Sequence, residues 1–134
     1  MTKSYLLDTN ICIYISKNKP IQVLNHFKKL SIGQVCMSII TYGELYYGAC
    51  KSQNPKAAIL NLENLSQFIP YLPVDFTCSI QYGQVRSFLE KRGNVIGNND
   101  MWIAAHAISL NKILVTNNIK EFERVPHLKL ENWV

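Results

Sequence analysis

Three carboxylates draw attention by position: Asp8, Glu44 and Asp100. The chain has only 9 acidic residues, and its aspartates are Asp8, Asp75 and Asp100 alone. Carboxylates gathered in one place repel one another unless a cation binds. Ligands that offer only oxygen suit a hard cation, Mg²⁺ or Mn²⁺. Such an ion polarises a phosphoryl oxygen, lowers the pKa of a bound water and stabilises a leaving oxygen. Phosphodiester hydrolysis needs those three things and no side-chain nucleophile. Each acid also has a structural explanation. Asp8 can cap the helix that follows it, Thr41 to Glu44 matches a capping box, and Asp100 suits a helix N-terminus. Taken singly, those explanations are at least as good as catalysis. Taken together they are weaker, because the acids fall at strand-to-helix junctions.

The elements that must position these acids alternate in type. Tyr5-Leu6-Leu7 reads as a strand, with a turn into a helix around Ile11–Ser16. Pro20 suits the first turn of a helix to about Leu30, with Ile21, Leu24, Phe27 and Leu30 on one face. Val35–Ile40 reads as a strand, and Thr41–Cys50 and Pro55–Phe68 as helices. Pro70–Val74 is a short strand, Thr77–Lys91 a helix ended by Gly93, and Asp100–Leu110 a buried helix. Ile113-Leu114-Val115 is a strand, Glu121–Arg124 a turn of helix and Leu128–Leu130 a last strand. Short strands between amphipathic helices predict an α/β fold, with a mostly parallel central sheet and helices on both faces. In such sheets the site lies beyond the carboxyl ends of the strands. Asp8 follows the first strand, Glu44 comes soon after the second, and Thr116, Asn117 and Asn118 follow Val115.

With 134 residues, the chain has room for one domain, 1–134. Apolar residues make up 48% and charged residues 17%, a globular composition. The net charge of +5 favours an anionic partner. The N-terminus MTKSYLLDTN lacks the apolar stretch of a signal peptide, and no window has the roughly 18 consecutive apolar residues of a membrane span. No membrane association and a cytoplasmic location are therefore expected, and the sequon Asn64-Leu65-Ser66 should be silent. Cys12, Cys36, Cys50 and Cys78 form no CxxC pair and read as reduced thiols in apolar surroundings.

Four blocks carry a resemblance. They are Leu7-Asp8-Thr9-Asn10, Ser38 to Leu45, Ile96 to Ala107 with its Asn-Asp-x-x-Ile-Ala-Ala pattern, and Val115-Thr116-Asn117-Asn118 with Glu121-Phe122. In this order and length they resemble PIN-domain ribonucleases, above all the VapC-type toxins of bacterial toxin–antitoxin pairs. The resemblance spans essentially the whole chain, to Leu130-Glu131-Asn132-Trp133. It implies a PIN-like three-layer sandwich and a metal-dependent endoribonuclease silenced by a VapB antitoxin. By motif match, Asp8 and Asp100 are the principal metal ligands and Glu44 the third site acid. Many members carry an acid where this chain has Asn118, so the fourth site group is either Glu121 or Asn118. Thr9, Asn10, Thr116 and Asn117 can orient the ligands, although turn and capping chemistry explains Asn10 and Asn117 equally well. Relatives with this pattern cut the anticodon stem-loop of initiator tRNA, which makes that RNA the expected substrate. The resemblance further implies a homodimer, a higher toxin–antitoxin assembly, and contact with operator DNA only through the antitoxin. An acidic pocket also attracts an arginine. An antitoxin segment inserting one there is the expected mode of silencing, with Ile11, Tyr14, Ile15, Leu45, Tyr46 and Tyr47 as candidate anchors.

Other signals are weaker. Gly43–Ser52 is not a P-loop, because Ala49 stands where the lysine must be. His106 lies well beyond the first turn of its helix and reads as a core or rim histidine. Tyr42, Tyr46 and Tyr47 can stack on bases or pack against a partner. Two alternatives remain open at this level: a PIN nuclease for RNA processing or structured DNA, and a non-catalytic binding module on the same fold.

Overall fold

A computed structural model describes residues 2–134. The chain runs β1 (Tyr5–Leu7), α1 (Thr9–Lys17), α2 (Ile21–Lys28), β2 (Val35–Ser38), α3 (Ile39–Cys50), α4 (Pro55–Phe68) and β3 (Tyr71–Leu72). It continues through α5 (Phe76–Lys91), α6 (Asn98–Ser109), β4 (Ile113–Val115), α7 (Ile119–Phe122) and β5 (Leu130–Glu131). The five strands lie in the order β3-β2-β1-β4-β5, and every pairing is parallel.

Side chains alternate across β1, so each face of the sheet has its own core. Leu6 points to one side, with Cys36 and Leu114, and meets Val85 and Leu89 of α5, Ile103 and Ala107 of α6, and Phe122 of α7. Tyr5 and Leu7 point to the other, with Met37 and Val115, and meet Ile11 and Ile15 of α1, Val23 of α2 and the partly buried Leu45 and Leu65 of α3 and α4. These are the expected helices on both faces. The chain steps outward from β1 to β2 and β3, then crosses back to β4 and β5 on the other side. The order therefore reverses beside β1, at its boundary with β4. That switch point, at the carboxyl edge, is where an open parallel sheet leaves a crevice.

Several boundaries differ from the sequence reading for identifiable reasons. α1 begins at Thr9, directly after β1, because Asp8 itself is its N-cap. Pro20 precedes α2 as its N-cap. Of the expected apolar face of α2, Phe27 and the following Leu30 pack against the core, whereas Ile21 is 60% exposed and Val23 is fully buried beside them. β2 stops at Ser38, whose hydroxyl caps α3 by accepting from the Ile40 N–H. Ile39 and Ile40 thus open a helix. The Thr41–Glu44 capping box does not form: Thr41 lies inside α3 and is buried. β3 and β5 are two-residue strands, shorter or later than expected. Among the described residues no helix is long and apolar enough to cross a membrane. All four cysteines are free thiols, with Cys50 exposed and the other three buried.

Candidate active site

Asp8 is placed by the sheet and locked from both sides. Its N–H donates to the Val115 carbonyl of β4 at 2.9 Å. Oδ1 accepts from the Thr9 N–H at 2.7 Å, and Oδ2 accepts from the Thr116 hydroxyl at 2.8 Å. Asp8 is only 5% exposed and Thr116 is fully buried. Burial raises the Asp8 carboxyl; the Thr116 and Thr9 bonds pull it down, and the Glu44 charge adds to the rise. Capping and site chemistry are thus compatible at Asp8, because one carboxylate serves both.

Glu44 reaches the same edge from α3. Its Oε1 accepts from the Thr9 hydroxyl at 2.6 Å, and that hydroxyl lies 3.2 Å from the Thr41 hydroxyl. Its Oε2 faces the Asn99 amide at 3.4 Å. The residue that the capping-box pattern assigned to its own helix instead bridges α1, α3 and α6.

Asp100 sits in the first turn of α6, behind an N-cap, Gly97, that offers no side chain. A Cβ at Gly97 would stand 3.4 Å from Asp100 Oδ2, in ordinary van der Waals contact with the carboxylate. Its carboxyl is pushed up to about 6, first by burial and then by the charges of Asp8, Glu44 and Glu121. The helix N-terminus favours an anion there, yet the neighbouring acids outweigh it. Glu121, in α7, accepts from the Asn118 amide at 3.0 Å. The fold therefore brings all four predicted acids within electrostatic reach at one edge. Neither of the two ion pairs among the described residues involves any of them.

Glu44, Gly97, Asn98, Asn99 and Asp100 line a shallow, open depression of about 400 Å³. Among the described residues no three His, Cys, Asp or Glu side chains converge tightly enough to grip an ion unaided. Charge and donor type nevertheless fit a divalent cation: all oxygen, partly desolvated, and with no ion-pair partner among the described residues. Asn10 and Asn117 are exposed at the same edge.

A Ser–His pair escaped the sequence reading because its members lie far apart in the chain. His106 Nδ1 is 2.8 Å from Ser38 Oγ. With Ser38 fully buried and His106 1% exposed, no substrate can reach the pair. His106 Nε2 makes no well-formed hydrogen bond among the described residues, although the Pro73 carbonyl is near enough to oppose, with Asp75, the lowering of the ring's pKa by burial. Ser38 and His106 tie the start of α3 to α6; they are not a nucleophile and its base. The expectation of a core histidine at 106 holds.

Beside the acids, a groove of about 410 Å³ runs between α1, α3 and α4, from Thr9 and Glu44 past Ile13, Leu45 and Gly48 to Leu62 and Leu65. Of the expected anchor residues, Ile11 and Ile15 are buried core, and Ile13 takes their place on the groove wall. Tyr46 and Tyr47 are exposed.

The family model of the PIN domain matches residues 5–128, which hold the whole of this edge. The chain belongs to the PIN-domain family. It is 45% identical over 130 residues to ribonuclease VapC2 of Haemophilus influenzae, covering 97% of this chain and 98% of that protein. It is 43% identical over 129 residues to the tRNA(fMet)-specific endonuclease VapC of Shigella flexneri, covering 96% and 97%. Its structure is similar to VapBC2 from Rickettsia felis bound to a DNA fragment from their promoter, with TM-score 0.90, 40% identity and coverage of 97% and 98%.

Proposed function

We propose that residues 1–134 form one PIN domain acting as the toxin of a type II toxin–antitoxin pair: a metal-dependent endoribonuclease whose site acids are Asp8, Glu44, Asp100 and Glu121. The observation that carries this reading is the set of partly desolvated, mutually repelling carboxylates that have no ion-pair partner among the described residues. Mg²⁺ is the working ion and Mn²⁺ its substitute, since every donor is a hard oxygen. Such a cation supplies polarisation of the phosphoryl oxygen and acidification of water at neutral pH.

The protein's own part is positional. Asp8, at the end of β1, and Asp100, in α6, would hold the ion. Glu44 and Glu121 flank them from α3 and α7. Thr116 fixes the rotamer of Asp8, and Gly97 lines the depression beside Asp100. With Ser38 and His106 sealed away, hydrolysis proceeds without a covalent intermediate on that pair. A shallow site of this kind favours unpaired loops, whose phosphates and bases can splay outward. The Shigella flexneri relative, a tRNA(fMet)-specific endonuclease by name, supports initiator tRNA as the substrate, and the preference for unpaired loops points to its anticodon stem-loop.

The neutralising partner is a VapB-type antitoxin. A segment of it would lie in the groove against Ile13, Leu45 and Leu65, with an arginine directed at Glu44 and the acids beyond. Operator DNA is then contacted only through the antitoxin. The toxin works as a homodimer in the cytoplasm. The test uses purified initiator and elongator tRNAs with Mg²⁺, followed by 5′-end sequencing. One discrete cut in initiator tRNA that stops with EDTA supports the reading. Undiminished cleavage in EDTA would sink metal dependence, and equal cutting of all the tRNAs would sink the choice of substrate.

A further inference from the structure

Asn118 is the N-cap of α7 and Glu121 stands three residues on, the spacing of a capping box. Neither bond of that box forms. The Asn118 side chain makes no capping bond. Its backbone N–H donates instead to the Thr116 hydroxyl at 2.9 Å. Its Nδ2 donates to Glu121 Oε2 at 3.0 Å. The Thr116 hydroxyl in turn donates a hydrogen bond to Asp8 Oδ2. A continuous path thus runs from Asp8 through Thr116 and Asn118 to Glu121. Both polar arms of Asn118 are diverted from the helix toward site carboxylates.

We propose that Asn118 is a positioning residue for the metal site, its amide holding the Glu121 carboxylate in a fixed place relative to Asp8. The amide suits this task because it donates without adding charge. A carboxylate at the same point would set two anions about 3.0 Å apart. One Glu121 oxygen is held by Asn118, while Oε1 has no hydrogen bond among the described residues, and the Asp100 carboxyl already responds to the Glu121 charge. The choice between Glu121 and Asn118 is thereby resolved into two roles: Glu121 supplies the charge and Asn118 aims it. This rests on the reading that the acids bind a divalent cation.

The test measures Mn²⁺ binding to the full chain by the loss of the free-ion electron paramagnetic resonance signal, so it does not depend on RNA cleavage. Wild type, Asn118→Ala, Glu121→Gln and the double variant are compared. Removing a partner that orients a metal ligand weakens binding by about 10- to 100-fold. Asn118→Ala should lose at least about tenfold, and adding it to Glu121→Gln should lose little more. Should Asn118→Ala fold poorly, Asn118→Ser keeps a helix-capping side chain but is too short to reach Glu121, and the same loss is expected. Wild-type affinity in the Asn118 variants, or losses that multiply in the double variant, overturns the positioning role while leaving the metal site standing. No Mn²⁺ binding by wild type overturns both.

Discussion

Replacing Asp100 by Asn should stabilise the metal-free protein while destroying its function. The carboxyl is raised from its ordinary 3.8 to about 6 by burial and by Asp8, Glu44 and Glu121. A rise of that size corresponds to ~3 kcal/mol against the ionised form. Asp100 is partly exposed, and screening reduces the effect to roughly 1–2 kcal/mol. Asn forfeits the attraction between a first-turn acid and the α6 dipole, about 0.3–1 kcal/mol. A net gain of about 1 kcal/mol is expected at pH 8 in EDTA. The sign follows from proton linkage. Between about pH 4 and 6 the folded protein binds more protons at Asp100 than the unfolded chain, so wild type loses stability as pH rises. Below that window both forms of Asp100 are neutral, and the advantage of the variant disappears. Urea unfolding at pH 3.5 and 8 gives the comparison. Added Mg²⁺ should reverse the order at pH 8, because only wild type gains binding energy. If Asp100→Asn is instead destabilised by 1 kcal/mol or more at pH 8 in EDTA, the residue serves its helix and the crowded site is wrongly described.

Further expectations follow from the supports of the site. Thr116→Val removes a hydroxyl that donates to Asp8 and accepts from Asn118, so denaturant unfolding at pH 8 should show a loss of about 2–3 kcal/mol. The deficit should shrink in acid, once Asp8 is protonated; equal deficits at pH 3 and pH 8 would argue against the bond. Gly48→Leu projects a side chain into the groove, where a Cβ meets nothing within 4 Å. This variant should still cut RNA but resist its antitoxin by tenfold or more in an inhibition titration; unchanged inhibition places the antitoxin elsewhere.

The parts legible in the sequence were those set by local chemistry. Pro55–Phe68 and Ile113–Val115 were read to the residue, one announced by a proline at the helix start, the other by an apolar run before a polar turn. The placing of Asp8 and Glu44 at one edge followed from the rule that parallel sheets present their sites at the carboxyl ends of the strands; Asp100 opens α6, which follows a helix, and was legible only through its sequence block. Long-range partnerships were not legible. Thr41 and Glu44 spell a capping box, yet Ser38 had already capped the helix and Glu44 turned to Thr9. Ser38 meets His106 across 68 positions of chain, and no spacing announces that. Asn118 and Glu121 spell the same box a second time, and the demands of the site again divert both side chains.

The most direct measurement titrates Mg²⁺ into purified wild type, Asp8→Asn and Asp100→Asn while following cleavage of one RNA, with each fold checked by circular dichroism. Wild-type cleavage should rise with Mg²⁺ and vanish in EDTA, whereas both folded variants should fall by at least about 100-fold, the loss of ~3 kcal/mol of transition-state stabilisation. Wild-type rates in folded Asp8→Asn or Asp100→Asn would contradict the assignment of a carboxylate-held metal as the origin of the activity.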